Sequence, residues 1–288
     1  MLRTHGRFHY SPIIDRPQFA WPGGHRLAVY VALNLEHYAF GEGLTENLVS
    51  GMPAHDVLNH SWREYGNRVG AWRLHALFES LALPVTVLVN SELYAHAPAL
   101  VAAFRARNDE IAAHGRTNSH SQAGLTPSAE REMIAIVTHE IERHEGHRPE
   151  GWLGPWIAET PDTPDLLHDA GYRYVLDWCA DDQPIWLSTR AGSLLAVPYP
   201  QELNDSSAII GRNVDASTFA DMIVDQFDEM LEQSASGPLV MGIALHAYVT
   251  GQPFRLRQLR RALAHIAAHR DAIWLTHARR IAQHFAAV

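Results

Sequence analysis

Two residues far apart in the chain carry the chemistry of a hydrolase. Glu36 offers a carboxylate that can take a proton from water, and His246 an imidazole that can return one to a departing amine. Amide hydrolysis needs both, a base for attack and an acid for expulsion. His114 and Asn118 stand four residues apart, as many metal-ligand pairs do, and with His37 they offer two imidazoles and a carbonyl oxygen. Such a set leaves room for water on a divalent ion, zinc first. Asn is a poorer ligand than a second His or a carboxylate, so the residues support the metal reading less than the acid–base one.

Other groups are less apt for chemistry. His139-Glu140 with His144 is one residue too long for the His-Glu-x-x-His zinc motif. His139 also falls opposite the apolar stripe Met133, Ile134, Val137, Ile141, which reads as a solvated helix face. His265 and His269 follow Arg257, Arg260 and Arg261 in an outer-surface pattern. No Gly-x-Ser-x-Gly occurs, which disfavours an α/β-type serine hydrolase. All 23 basic residues are Arg; without Lys there is no Schiff-base lysine, phosphate-loop lysine or Ser–Lys dyad. Cys179 is the only cysteine, so the chain has no internal disulfide, zinc ribbon or iron–sulfur site, and it reads as a core thiol beside Trp178.

The elements that must position these residues are short, apolar, β-branched segments: 26–34, 84–90, 110–114, 151–155, 174–177, 194–198, 239–246 and 272–276. Most are followed by a helical pattern. Thr126 caps one helix with Pro127 in its first turn, and a short helix over 162–170 closes at Gly171. Another stripe is Phe219, Ile223, Phe227 and Met230, and a further one Leu256, Leu259, Leu263 and Ile266. Alternating β and α elements imply a parallel sheet. Seven to eight strands favour a closed (β/α) barrel over an open doubly wound sheet, and no Gly-x-Gly-x-x-Gly follows any strand. Two long loops, 36–66 and 199–215, have the length of functional loops.

On that frame the polar residues converge. Glu36 and His37 end the first strand; His114 and Asn118 follow the third; Trp156 follows the fourth. Asp177 and Trp178 end the fifth, Tyr199 and Gln201 follow the sixth, and His246 ends the seventh. All lie at the carboxyl edge, where a barrel builds its site. Trp156, Asp177, Trp178, Tyr199 and Gln201 can wall a compact substrate pocket, with core packing the other reading of Trp178. His120 is left without a role.

Composition sets the class. The chain has 288 residues, 47% hydrophobic and 19% charged, as in an ordinary globular protein. The formal net charge is −9 and there is no basic run, which argues against nucleic acid or an anionic membrane as partner. The first 24 residues hold no apolar stretch of signal-peptide length, and the longest apolar segment, 27–35, is too short to span a bilayer. The expectation is a cytoplasmic protein of one domain over 1–288, with 1–25 an N-terminal extension, acting on a small molecule as a homo-oligomer.

From about Arg26 to Ile281 the sequence resembles the polysaccharide deacetylase family, the NodB-type domain of carbohydrate esterase family four. The segments that carry the resemblance are Leu33-Asn34-Leu35-Glu36-His37, Glu110-Ile111-Ala112-Ala113-His114-Gly115-Arg116-Thr117-Asn118, Gly151-Trp152-Leu153-Gly154-Pro155-Trp156, Val175-Leu176-Asp177-Trp178 and Leu245-His246-Ala247. The resemblance implies a distorted (β/α) barrel. It implies that the first acidic residue is the base, that the second holds metal with two histidines, and that the last His is the acid. The chain departs from the pattern: Glu36 replaces the base Asp, His37 the metal Asp, Asn118 a metal His, and Leu153 an Arg. These changes, with Tyr65-Gly66-Asn67-Arg68-Val69-Gly70, are similar to the allantoinase and cyclic-imide-hydrolase-like branch, some of whose members work without metal.

Three functions follow. The first is a hydrolase of non-peptide C–N bonds that opens a small cyclic amide or ureide. The second is a metal-dependent N-deacetylase of acetylated sugars. The third is a catalytically silent barrel that binds a ligand; retention of Glu36 and His246 counts against it.

Overall fold

The computed structural model describes residues 4–53 and 55–288. Among the described residues nine strands form one sheet: β1 (Leu27–Leu35), β2 (Val85–Val89), β3 (Glu110–Ala113), β4 (Gly151–Trp152), β5 (Tyr174–Val175), β6 (Ile185–Thr189), β7 (Gly192–Ala196), β8 (Leu239–His246) and β9 (Trp274–Leu275). Their order is β6-β7-β5-β4-β3-β2-β1-β8, with β9 also paired to β1. All pairings are parallel except the β6–β7 hairpin. The curled sheet is the distorted (β/α) barrel expected, with helices packed on its outside.

The strand period of two decides what faces inward. Along β1 the odd residues Leu27, Val29, Val31, Leu33 and Leu35 join the outer core beneath the helices. The even residues Ala28, Tyr30 and Ala32 join the inner core with Leu88, Ala112, Leu153, Tyr174, Val197, Val240 and Ala244. Continuing each inner row past its strand brings Glu36, His114 and His246 to the same mouth.

Two features depart from the expected closed ring. β6 is an added strand, running antiparallel to β7, that has no long apolar run to mark it. Among the described residues β8 pairs directly with no strand on its far side. Loop residues span that seam instead: Asp182 O accepts from Val240 N at 2.8 Å, and Leu203 O from Ala244 N at 2.9 Å. Among the described residues no helix is long and apolar enough to cross a membrane.

The expected helix starts are present. Thr126 Oγ1 accepts from Ala129 N at 3.3 Å at the head of Pro127–Glu145, and Gly171 takes φ +87° just beyond helix Thr163–Asp169. The long loop after β1 carries its own helix, Val57–Tyr65, running into a π-helical turn, Gly66–Gly70. The loop after β7 holds a second π-helical turn, Ser206–Gly211.

Candidate active site

A cavity of about 330 Å3 opens at the carboxyl mouth of the barrel, and Glu36, His114 and His246 lie in its wall. Glu36 follows β1 and is buried, 6% exposed, among five donors or near-donors. Its Oε2 accepts from Tyr38 Oη at 2.8 Å and from Tyr248 Oη at 2.6 Å. Its Oε1 accepts from Asn118 Nδ2 at 2.5 Å and lies 3.4 Å from His114 Nε2 and 3.6 Å from His246 Nε2. Its main chain is pinned by Asn67, whose Nδ2 donates to Glu36 O at 2.7 Å. Burial alone would raise the carboxyl's pKa; the His246 charge, His114 and the Tyr248 hydroxyl outweigh it and hold the group at about 2.

His246 ends β8 and is braced from behind. Its Nδ1 lies 2.7 Å from Asp205 Oδ1 and its backbone N–H donates to Oδ2 at 2.9 Å. A carboxylate at that distance accepts, so Nδ1 carries hydrogen and Nε2 is turned to the pocket. Burial would lower its pKa, but the charge of Glu36 and the hydrogen bond and charge of Asp205 push it up to about 9. At neutral pH the pair is a carboxylate facing an imidazolium.

The expected metal set does not come together. His37 follows Glu36 directly, so the alternation that turns Glu36 inward turns His37 outward. Its ring stacks on His96 at 3.8 Å, and it is not among the residues lining the cavity. Asn118 reaches the cavity, but a chain of hydrogen bonds fixes which end of its amide faces Glu36. The His37 backbone N–H donates to Asn90 Oδ1 at 2.8 Å, which leaves Asn90 Nδ2 to donate to Asn118 Oδ1 at 3.0 Å. Asn118 must then present Nδ2, a donor, to Glu36. It serves the carboxylate rather than a cation. His114 donates Nδ1–H to Leu153 O at 2.8 Å and is left as a single imidazole beside Glu36. Among the described residues no group of three or more His, Cys, Asp or Glu side chains is arranged to hold a metal ion. The donor set does not fit zinc.

Of the residues expected to wall the pocket, Trp156, Tyr199 and Gln201 line it. Trp156 and Ile157 both hold left-handed backbone, φ 66° and 52°, a conformation that costs non-glycine residues energy and is kept here at the cavity rim. The Trp156 Nε1 donates to Asn118 O at 2.8 Å. Tyr199 Oη accepts from Asn34 Nδ2 at 3.0 Å, closing the floor. Asp177 and Trp178 do not reach the cavity. Asp177 accepts the Gly154 N–H at 2.9 and 3.0 Å and so holds the turn that carries Trp156. Trp178 packs on Phe8 and donates to Glu159 Oε2 at 2.9 Å. His120 is exposed and lines a different cavity. The Cys179 thiol is pushed up to about 11, chiefly by burial, and is no nucleophile.

Sequence reading missed Tyr38, Glu46, Asp205 and Tyr248. Tyr38 stands two residues beyond Glu36, and the strand period could have found it; Tyr248 lies in the helical turn Ala247–Thr250 after β8, where that period no longer applies. Glu46 and Asp205 sit in the two long loops, where no periodicity signals them.

No family model matches the chain. A Schizosaccharomyces pombe protein described as a "putative polysaccharide deacetylase" is 27% identical over 307 residues, covering 96% of this chain and 94% of that one. The crystal structure of a "probable polysaccharide deacetylase" from Pseudomonas aeruginosa PAO1 superposes with a TM-score of 0.84 at 28% identity, over 96% of this chain and 98% of that one. The crystal structure of PuuE allantoinase superposes with a TM-score of 0.85 at 27% identity, over 98% and 99%. In sequence and in fold, over nearly its whole length, the chain is similar to proteins described as polysaccharide deacetylases and to an allantoinase.

Proposed function

We propose that the chain hydrolyses a non-peptide C–N bond in a small neutral substrate, opening a cyclic amide or ureide in the manner of an allantoinase. The observation that carries this reading is the facing of Glu36 Oε1 and His246 Nε2 at 3.6 Å across one cavity. Glu36 takes a proton from the attacking water, and the Asp205-braced imidazolium gives one to the nitrogen that leaves. Tyr38, Tyr248 and Asn118 stabilise the carboxylate in the ionised form that a base requires.

The substrate class follows from the lining. Asn34, Asn118, Gln201, Asn204, Ser206 and Ser207 offer amide and hydroxyl groups, and among the described residues no Arg side chain lines the cavity. Such a wall matches the alternating N–H and C=O groups of a neutral ring better than a carboxylate-bearing substrate. About 330 Å3 is also near the lower end for small-molecule pockets, about 300–1,000 Å3. The reading includes metal-independent turnover, because Asn118 offers a donor and His37 faces away.

N-deacetylation of an acetylated sugar is the second reading, favoured by the descriptions of two of the relatives. Steady-state kinetics on a cyclic ureide, a cyclic imide and an N-acetylglucosamine oligomer separate the two. The ring substrates should show the higher kcat/KM; clear preference for the oligomer overturns the small-substrate reading.

A further inference from the structure

Tyr248 Oη has one hydrogen and two carboxyl groups at bonding distance. Glu36 Oε2 lies 2.6 Å away and Glu46 Oε2 2.7 Å away, and the Tyr38 hydroxyl is at 3.2 Å. Tyr38 is committed to Glu36, at 2.8 Å. If both carboxyl groups were ionised, one of the two short contacts would join lone pairs to lone pairs in a buried site, at a cost no other bond offsets. One carboxyl group must therefore supply a proton.

The surroundings say which one. Glu36 accepts from Tyr38 and Asn118 and faces two imidazoles. Among the described residues Glu46 has, besides Tyr248, only the Ser206 hydroxyl, on Oε1. The nearby Arg63 guanidinium is turned to the Glu46 backbone carbonyl, 2.6 Å from Nη1, and to the Tyr38 ring. We infer that Glu46 is a neutral carboxylic acid that donates to Tyr248, and that this commits the Tyr248 hydrogen to Glu36. This deepens the proposed reaction and rests on Glu36 being its base. Burial raises the pKa of the Glu46 carboxyl; the His246 charge opposes the rise and the Glu36 charge adds to it.

Glu46 is thus a positioning residue acting through Tyr248. With Oε2 held by two phenols, Oε1, which accepts from Asn118, is the oxygen of Glu36 turned to the His246 imidazole. The loop is itself anchored for this: Leu44 N donates to Ser119 O at 2.9 Å, and Asn59 bridges both polar groups of the Val49 backbone.

The test combines infrared difference spectroscopy with kinetics on Glu46→Gln and Glu46→Ala. At pH 7 the wild-type spectrum should contain a protonated-carboxyl band that is lost in Glu46→Gln. Because Gln keeps a donor to Tyr248, its kcat should exceed that of Glu46→Ala by about tenfold, the worth of one hydrogen bond, with KM less affected. No loss of the band in Glu46→Gln, or equal kcat in the two variants, overturns the inference. Failure of Glu36 as base would appear separately, as near-normal turnover in Glu36→Gln with the Glu46 band still present.

Discussion

Asp205 holds His246 at two points, accepting Nδ1–H at 2.7 Å through Oδ1 and the backbone N–H at 2.9 Å through Oδ2. The second oxygen also accepts from Thr250 Oγ1 at 2.8 Å, so the carboxylate cannot rotate away. The imidazole is fixed in orientation, in tautomer and in charge by a residue from the opposite loop.

Asp205→Asn keeps the shape and removes the charge. It should lower kcat by about 10²-fold or more, the range seen when an acid–base group is lost or misoriented. It should also move the alkaline limb of kcat/KM down from about 9 towards the ordinary imidazole value of 6.5, because the Asp205 bond and charge are among the forces that raise His246. An unchanged limb would separate Asp205 from the acid.

In the wild type the working state needs Glu36 ionised and His246 protonated. The profile of kcat/KM should be flat through neutrality and fall tenfold per unit above about 9. The same pair has a stability signature. Glu36 has a lowered pKa, so its contribution is complete above 4.5 and is lost as pH falls towards about 2. His246 has a raised pKa, so its contribution is complete below 6.5 and is lost as pH rises through about 9. Urea denaturation should therefore show the pair contributing fully between pH 4.5 and 6.5. An alkaline kinetic limb near 6.5 would show that the carboxylates do not hold the imidazolium.

Because Asn118 turns Nδ2 to Glu36 and His37 faces His96, stripping divalent ions should leave kcat unchanged. The check is turnover before and after exhaustive chelation, with metal content read by mass spectrometry. Loss of activity restored by zinc would contradict the donor assignment.

Gly66 and Gly70 let the π-helical turn close on the segment after His246. A Cβ on Gly70 would lie 2.1 Å from Ala247 O, and one on Gly66 2.7 Å from Tyr248 N. Both obstacles are backbone and cannot step aside as a side-chain tip would. Gly70→Ala should cost about 1–3 kcal/mol in urea denaturation, the usual penalty of overpacking, and should lower kcat by displacing Tyr248. Wild-type stability in this variant would show that the two segments are less tightly apposed.

Much of the frame was legible because strands and amphipathic helices write their periods into the sequence. All eight apolar segments became strands, and Thr126 and Gly171 marked helix ends as their chemistry requires. β6 was not legible: Trp186, Ser188 and Thr189 are partly exposed and form no apolar run, and the strand exists by pairing with β7. The expectation for His37 erred against a rule already available, since adjacent residues leave a strand on opposite faces. Asn118 was read by its oxygen, yet the orientation of its amide is set by a backbone N–H through Asn90, a tertiary fact. Asp205 and Glu46 become meaningful only when their loops fold over the mouth.

The most direct measurement is kcat of Glu36→Gln on whichever ring substrate the wild type turns over, with circular dichroism and Tm taken alongside. Gln retains the shape and an acceptor for Tyr248 but cannot take a proton from water. The expected result is a loss of about 10²–10⁴-fold in kcat with the fold intact. Near-normal kcat in a folded Glu36→Gln protein would contradict the assignment of Glu36 as the base.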